Sequence, residues 1–504
     1  MITKKRIGIN MFSGGMGYII PMLVNLISTP FVINWLGEEA YGLQSISAVV
    51  LGYLAVTDMG LDIPITKKVS ENLAKRDTHA QDKFLRSTFK IYTLIGIFGA
   101  TVLWIGIPYL IDILSIPPLL TSEAETVLKL TALGFIASVY MLWGKAIFNG
   151  FHRFDITNTI AVCNNTAGIA LGLILIYYGY GVVGFIVARV LAYSIAAITY
   201  GILTKKHFSF APFFSIDSTA TKFLLSQLSY GVLIRISGMV LSRLDQVIIS
   251  AWIGIHAVAL YAVPLLIANT LSGFIANVTH FAFPMASSLH TDESEQKLYQ
   301  LFYNVSRFIT FTSTFIFIPF IILSENILAL WINPQMATQS AFTLQLLLIS
   351  FYINSCLTIA INAFLMGMGY LKYFTIYSII RSLTLLLFFL LLIKPFGIIG
   401  AAYAYSISVL IDMIYNVRAI RIKLKFTPWH FWKNIYIPYF IVGTISGSII
   451  YFISASWINS WIVNGCIINI YGLLTFILIY AFKLVNKSEI LATWNYCISI
   501  VTRK

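Results

Sequence analysis

Fourteen stretches of mainly apolar residues, each long enough to cross a bilayer as a helix, follow one another along this chain and leave little else to fold. They run approximately over residues 11–34, 41–65, 89–112, 124–148, 156–178, 181–203, 224–252, 258–285, 302–324, 341–366, 372–393, 397–417, 433–454 and 461–482. In hydrocarbon every backbone amide needs an internal partner, and no strand period competes here, so each stretch is expected to be helical. The pairs meeting near Gly179 and near Gly397 are separated by very short turns, which leaves twelve or thirteen crossings as alternatives. Composition agrees, with 59% of 504 residues hydrophobic and 10% charged, against roughly 45–50% and 25% in a soluble domain. The expected fold class is an all-α polytopic membrane protein.

Basic residues set the orientation, because Lys and Arg are retained on the cytoplasmic side. With the N-terminus inside, 27 of the 33 fall on or beside cytoplasmic segments, and only Lys394 lies in an expected outer loop. An even number of crossings also returns Lys483, Lys487, Arg503 and Lys504 to the cytoplasm. The formal charge of +14 is dispersed over short loops beside apolar spans. That distribution fits topology and contact with anionic membrane lipids, and argues against nucleic acid. Met1 to Arg6 lead into the first span without a small-residue cleavage pattern, so the first span reads as an uncleaved helix.

The chain is also duplicated. Trp35-Leu36-Gly37-Glu38-Glu39-Ala40 has a near copy at Trp252-Ile253-Gly254-Ile255-His256-Ala257. Tyr41 answers to Tyr261 and Pro64 to Pro284, while Gly150 falls opposite Gly367 and Gly181-Val182-Val183-Gly184 opposite Gly397-Ile398-Ile399-Gly400. Repeats of this size in an apolar chain imply a transporter with a site between two halves. The expected organisation is 1–204 as a first six-helix bundle, 205–222 as a cytoplasmic connector and 223–420 as a second bundle. Residues 421–504 then hold two further spans and a tail, with no counterpart in the repeat.

Enzymes embedded in membranes need clustered His, Asp or Glu. His79, His152, His207, His256, His280, His290 and His430 are isolated, and no metal-binding pair or phosphate loop accompanies them. Cys163, Cys356, Cys466 and Cys497 carry no disulfide or zinc signature and read as buried small hydrophobes. Outer loops are expected to be short, the longest at about 325–339. The sequence therefore predicts no enzyme, no metal and no cofactor, and transport driven by a gradient, the membrane potential or downhill flux.

Ionisable groups inside spans are costly in hydrocarbon and mark wet cavities. Arg189, Arg235, Arg243 and Arg381 lie deepest. Arg381 is nine residues past Lys372, roughly 13 Å of helix rise. Interfacial snorkelling or pairing with an acid remains the alternative for each, and Lys129 is shallower. Several guanidinium groups with few acids would favour a phosphate or pyrophosphate cargo over a cationic drug, since the planar fork matches phosphate oxygens in pairs. Asp58, Asp62 and Asp245 are the acids nearest mid-span; Asp58 and Asp62 are open to a proton or sodium coupling role or to capping and pairing with Lys67 and Lys68, while Asp245, at i,i+2 from Arg243, does not face it directly. Pro21, Pro30, Pro64, Pro264, Pro284 and Pro319 lie inside spans and are expected either to hinge or to hold static kinks.

The ordered motifs carry a family likeness. Leu36-Gly37 with Ala40-Tyr41-Gly42-Leu43, Thr57-Asp58-Met59-Gly60-Leu61 and Gly150 to Asp155 resemble the first half of the polysaccharide exporters of the multidrug/oligosaccharidyl-lipid/polysaccharide superfamily. Arg243-Leu244-Asp245, Phe283-Pro284 and Gly397-Ile398-Ile399-Gly400-Ala401-Ala402 resemble its second half, and the likeness is strongest to O-antigen flippases of Wzx type. That resemblance implies two facing six-helix bundles in the bacterial inner membrane. It also implies a cargo of undecaprenyl-pyrophosphate-linked oligosaccharide, moved to the periplasmic leaflet with other polysaccharide assembly proteins as partners. The cationic cleft would then be Arg189, Arg235, Arg243 and Arg381 with Lys129, and coupling or gating would fall to Asp58, Asp62, Asp245, Pro64 and Pro284. Lipid II flippases tend to carry arginine in the first span, which this chain lacks between Met11 and Asn34. A cation-coupled drug or metabolite exporter and a polytopic glycan transferase or polymerase are the other readings.

Overall fold

The computed structural model describes residues 4–54, 61–205, 243–279, 295–454 and 460–481, and side chains in the first helix from Gly17 onward. Regular structure among them is entirely helical. The elements are α1 (Lys4–Leu36), α2 (Glu38–Leu54), α3 (Asp62–Lys75), α4 (Thr78–Ile113), α5 (Thr121–Gly150), α6 (Phe154–Tyr177) and α7 (Gly181–Thr204). A helical segment at 243–252 precedes α8 (Ile255–Val278), α9 (Glu295–Ile322), α10 (Ser324–Trp331), α11 (Pro334–Gly367), α12 (Leu371–Ile422), α13 (Ile437–Ser454) and α14 (Trp461–Ala481). Eleven helices among the described residues are long and apolar enough to span a membrane. One of them, α12, is broken at Gly397 (φ 60°, ψ −140°), where two helical segments meet. Expected span 224–252 lies mostly outside the described residues.

Helix faces show which solvent each side meets. On α7, Ala188, Ala192, Ala196 and Tyr200 are buried while Leu191, Ile195, Ile198 and Ile202 are exposed. An apolar outward face of this kind suits lipid and would aggregate in water. The buried small residues allow close helix approach. At Gly144 on α5 a side chain would overlap Tyr200, and at Gly134 the Val190 methyl lies 2.9 Å from where Cβ would be.

Two local expectations are corrected, and a third stretch is described only in part. Within the expected span 41–65, α2 is described to Leu54 and α3 starts at Asp62, with residues 55–60 outside the described residues. Asp62 and Pro64 therefore sit in the first turn of a helix, where an acid suits the dipole and a proline breaks no intrahelical bond. The outer connection at 325–339 is mostly helix: α10 fills it, and α11 begins at Pro334 behind Asn333, whose side chain accepts from the Met336 amide at 2.7 Å. Cys163 and Cys466 are exposed, and only Cys356 is buried among the described cysteines. Pro21, Pro30, Pro264 and Pro319 do lie inside helices.

Residues 1–267 with 375–404 form one compact unit, and 268–374 with 405–504 a second. In the first unit the two copies of the repeated motif meet. Gly37 (φ +85°) and Gly254 (φ +116°) hold equivalent left-handed turns, a conformation that costs an L side chain energy. The turn at Gly254 brings the Ile255 carbonyl against Gly42, where any side chain would collide. Beside it Glu38 Oε2 lies 3.3 Å from His256 Nδ1. The start of the second copy thus groups with the first. In the second unit α14 packs onto α9 and α13 through Leu323, Ile450, Ile467 and Tyr471, and the Tyr471 hydroxyl donates to the Thr314 carbonyl at 2.9 Å.

Candidate functional site: a cationic cavity in the first unit

Side chains from α2, α5 and α7 enclose a cavity of about 270 Å³, completed by Arg243. On α2 the lining positions are Gln44, Ser47, Ala48, Leu51 and Gly52. Their i, i+3, i+4, i+7, i+8 spacing is a single helical face, here polar and small where a buried stripe would ordinarily be aliphatic. On α7 Ile186, Arg189, Val190 and Tyr193 follow the same period.

Polar groups in the wall are held in place. The Thr131 hydroxyl donates to the Val127 carbonyl at 2.7 Å, which leaves its oxygen to accept from Ser47 at 2.7 Å. Arg189 Nη2 donates to the Tyr193 hydroxyl at 3.2 Å, and its guanidinium carbon lies 5.6 Å from that ring's centre. Stacking and a hydrogen bond together restrict the fork before any ligand arrives. Two glycines make room for the stems. A side chain at Gly168 would touch Arg189 Cδ at 3.4 Å, and one at Gly52 would touch Arg243 Cδ at 3.6 Å.

No Asp or Glu is among the described residues lining this space. Guanidinium stays charged at any physiological pH, so the described lining carries two fixed positive charges, Arg189 and Arg243, with hydroxyl and amide donors around them. Chemically it is built for an anion, and phosphate oxygens satisfy such forks well.

The other residues singled out by sequence are placed differently. Arg381 is half-buried on α12 and is not part of this lining. Lys129 is bound instead by Glu125 Oε1 at 2.6 Å, over the Trp104 ring at 5.8 Å, on a surface the cavity does not reach. The physical reason is the i,i+4 spacing of the acid and the lysine on α5. Asp245 is fully buried away from the cavity, accepting from the Tyr261 hydroxyl at 2.6 Å and from the Gln246 amide at 2.8 Å. The repeat offset that pairs Tyr41 with Tyr261 also pairs Asn25 with Asp245. Asp62 and Pro64 open α3, while Arg235, Asp58 and Pro284 lie outside the described residues. Gln44, Ser47, Gly52, Thr131, Gly168 and Tyr193 had not been singled out, although the polar and small period along α2 is visible in the sequence.

Fold and cavity define a polytopic α-helical membrane protein with a basic internal site. A family model described as polysaccharide biosynthesis protein matches residues 7–290. The chain belongs to that family. It is 24% identical over 410 residues to a Shigella flexneri protein assigned as an O-antigen transporter, covering 79% of this chain and 94% of that one. Among solved structures it is similar to the lipid II flippase MurJ in an inward closed conformation, with a TM-score of 0.74 at 15% identity over 94% of this chain and 98% of that one. An inward-facing multidrug resistance transporter of the MATE family, in the MOP superfamily, matches with a TM-score of 0.64 at 15% identity, over 82% and 98%. At such identity these two likenesses establish the fold alone.

Proposed function

We propose that the protein is a flippase of the bacterial inner membrane. Its cargo is an undecaprenyl-pyrophosphate-linked oligosaccharide, the repeat unit of O-antigen or a similar surface polysaccharide, moved from the cytoplasmic to the periplasmic leaflet by alternating access. Fourteen crossings, with residues 1–204 and 223–420 as two six-helix halves joined by 205–222, and both termini cytoplasmic, complete the proposal. Family membership and the Shigella flexneri relative support the cargo class. The observation that carries the mechanism is Arg189 and Arg243 on one cavity whose described lining holds no Asp or Glu. Small-molecule pockets typically measure roughly 300–1,000 Å³, so a cavity of about 270 Å³ suits a diphosphate head and not a whole oligosaccharide. Sugar and lipid tail would extend beyond it.

The test is complementation in a bacterium lacking its own surface-polysaccharide flippase. Wild-type protein restores surface glycan, and R189A/R243A, expressed at the same level, does not. Unchanged glycan in the double variant would sink the cationic-cavity mechanism. Rescue of a strain depleted of its lipid II flippase, with no rescue of surface glycan, would assign the same diphosphate chemistry to the other lipid.

A further inference from the structure

At the inner end of α12, in the second unit, Arg418, Arg421, Lys423, Lys425 and Lys433 fall within one short run. Cytoplasmic placement alone would ask only that these residues lie on the inner side. Here the backbone does more. The amides of Lys423 and Leu424 both reach the Ala419 carbonyl, at 2.9 and 3.2 Å, and the Phe426 amide reaches Ile420 at 3.0 Å. Lys425 then takes φ +58°, a conformation glycine would adopt without strain. Beneath the turn, Phe426 and Phe431 pack at 5.0 Å against Tyr299 and Phe302 respectively. Directly after it, Trp432–Tyr436 forms one turn of π-helix, a feature frequent at functional sites.

The outer face of this anchored turn borders an open recess of about 770 Å³. Arg421 and Lys425 supply its charge, Trp429 and Trp432 its aromatic wall, and Val417 its apolar edge. Among the described residues no carboxylate pairs with either cation. Trp429 is 64% exposed, as an interfacial anchor would be. From the recess a stripe of outward apolar side chains, Val417, Ile414 and Leu410, climbs one face of α12 at helical spacing. Cationic head site, indole collar and apolar track follow one another in the order of a lipid's own parts.

We propose that this recess binds an anionic phospholipid of the cytoplasmic leaflet, with its phosphodiester between Arg421 and Lys425, its glycerol region against Trp429 and Trp432, and an acyl chain along Val417, Ile414 and Leu410. The site lies beyond residues 7–290, the part matched to the family, and is separate from the Arg189–Arg243 cavity. An occupied recess ties α12 to the start of α13 and so fixes the two appended helices to the inner face.

The test uses the purified full chain in nanodiscs of phosphatidylcholine, titrated with phospholipids brominated in the acyl chain, with tryptophan quenching as the readout. W429F/W432F isolates the local part of the signal from the other tryptophans. Brominated phosphatidylglycerol should quench that part at a mole fraction roughly 30-fold lower than brominated phosphatidylcholine, the effect of two basic residues at a membrane surface. R421Q/K425Q should bring the two lipids to within about threefold, and R421K/K425R should keep the preference. Equal quenching by both lipids, or a preference that survives R421Q/K425Q, overturns the proposal. Displacement of the brominated lipid by glycerol phosphate alone would make the recess a soluble-anion site. Displacement by farnesyl diphosphate at lower concentration than by short-chain phosphatidylglycerol would make it a cargo site, and either result overturns the assignment to membrane phospholipid.

Discussion

Replacing Arg189 and Arg243 by glutamine removes both fixed charges while keeping a polar side chain of similar reach. Arg189 spends one of its five N–H groups on Tyr193, and Arg243 runs past Gly52 into the same space. A hydrogen bond to a charged group contributes about 1.5–3 kcal/mol, so each single variant should bind a diphosphate head roughly 10- to 100-fold more weakly. Because both side chains face one cavity, the double variant should depart from simple additivity. Binding of farnesyl diphosphate to purified protein, followed by calorimetry in nanodiscs, reads this directly. R189K and R243K keep the charge and lose the planar fork, so they should fall between wild type and glutamine. The reasoning is refuted if R189Q/R243Q, folded by circular dichroism, binds within about twofold of wild type.

Three further outcomes are expected. Y261F removes the hydroxyl that donates to buried Asp245 at 2.6 Å, and should lower unfolding stability by about 1–3 kcal/mol, read as a reduced denaturation midpoint in detergent; an unchanged midpoint would show that this contact contributes nothing. G397A forces a methyl onto a backbone at φ 60°, ψ −140°, and should cost about 1–3 kcal/mol, visible as poorer expression and a lower Tm, whereas G201A, at an open helical position, should not. E38C/H256C places thiols where the two motif copies meet at 3.3 Å between side-chain atoms; a short bifunctional thiol reagent should link them within one chain and arrest glycan export, and export that continues after complete linkage would show that this contact does not open during transport.

Membrane spanning was legible in the sequence because it depends on a local property, the length of apolar runs. The side of the basic residues, the constant offset of Trp-Leu-Gly and Trp-Ile-Gly, and the positions of the arginines within their runs are local or periodic too, and from them come the expected orientation, duplication and depth. Which of them share a space was not, because that depends on how α2, α5 and α7 rotate about their own axes. The rotation is set by packing such as Gly144 against Tyr200 and Gly134 against Val190. It brings Arg189 and Arg243 to one cavity and leaves Arg381 off its lining. Lys129 lies off that lining beside Glu125, a partner readable at i,i+4 in the sequence. Apolar pattern by itself determined that this chain is built of membrane-spanning helices. Only the tertiary structure decided where its charges meet, because a guanidinium in hydrocarbon goes wherever neighbouring helices leave polar space, and that space belongs to several segments at once.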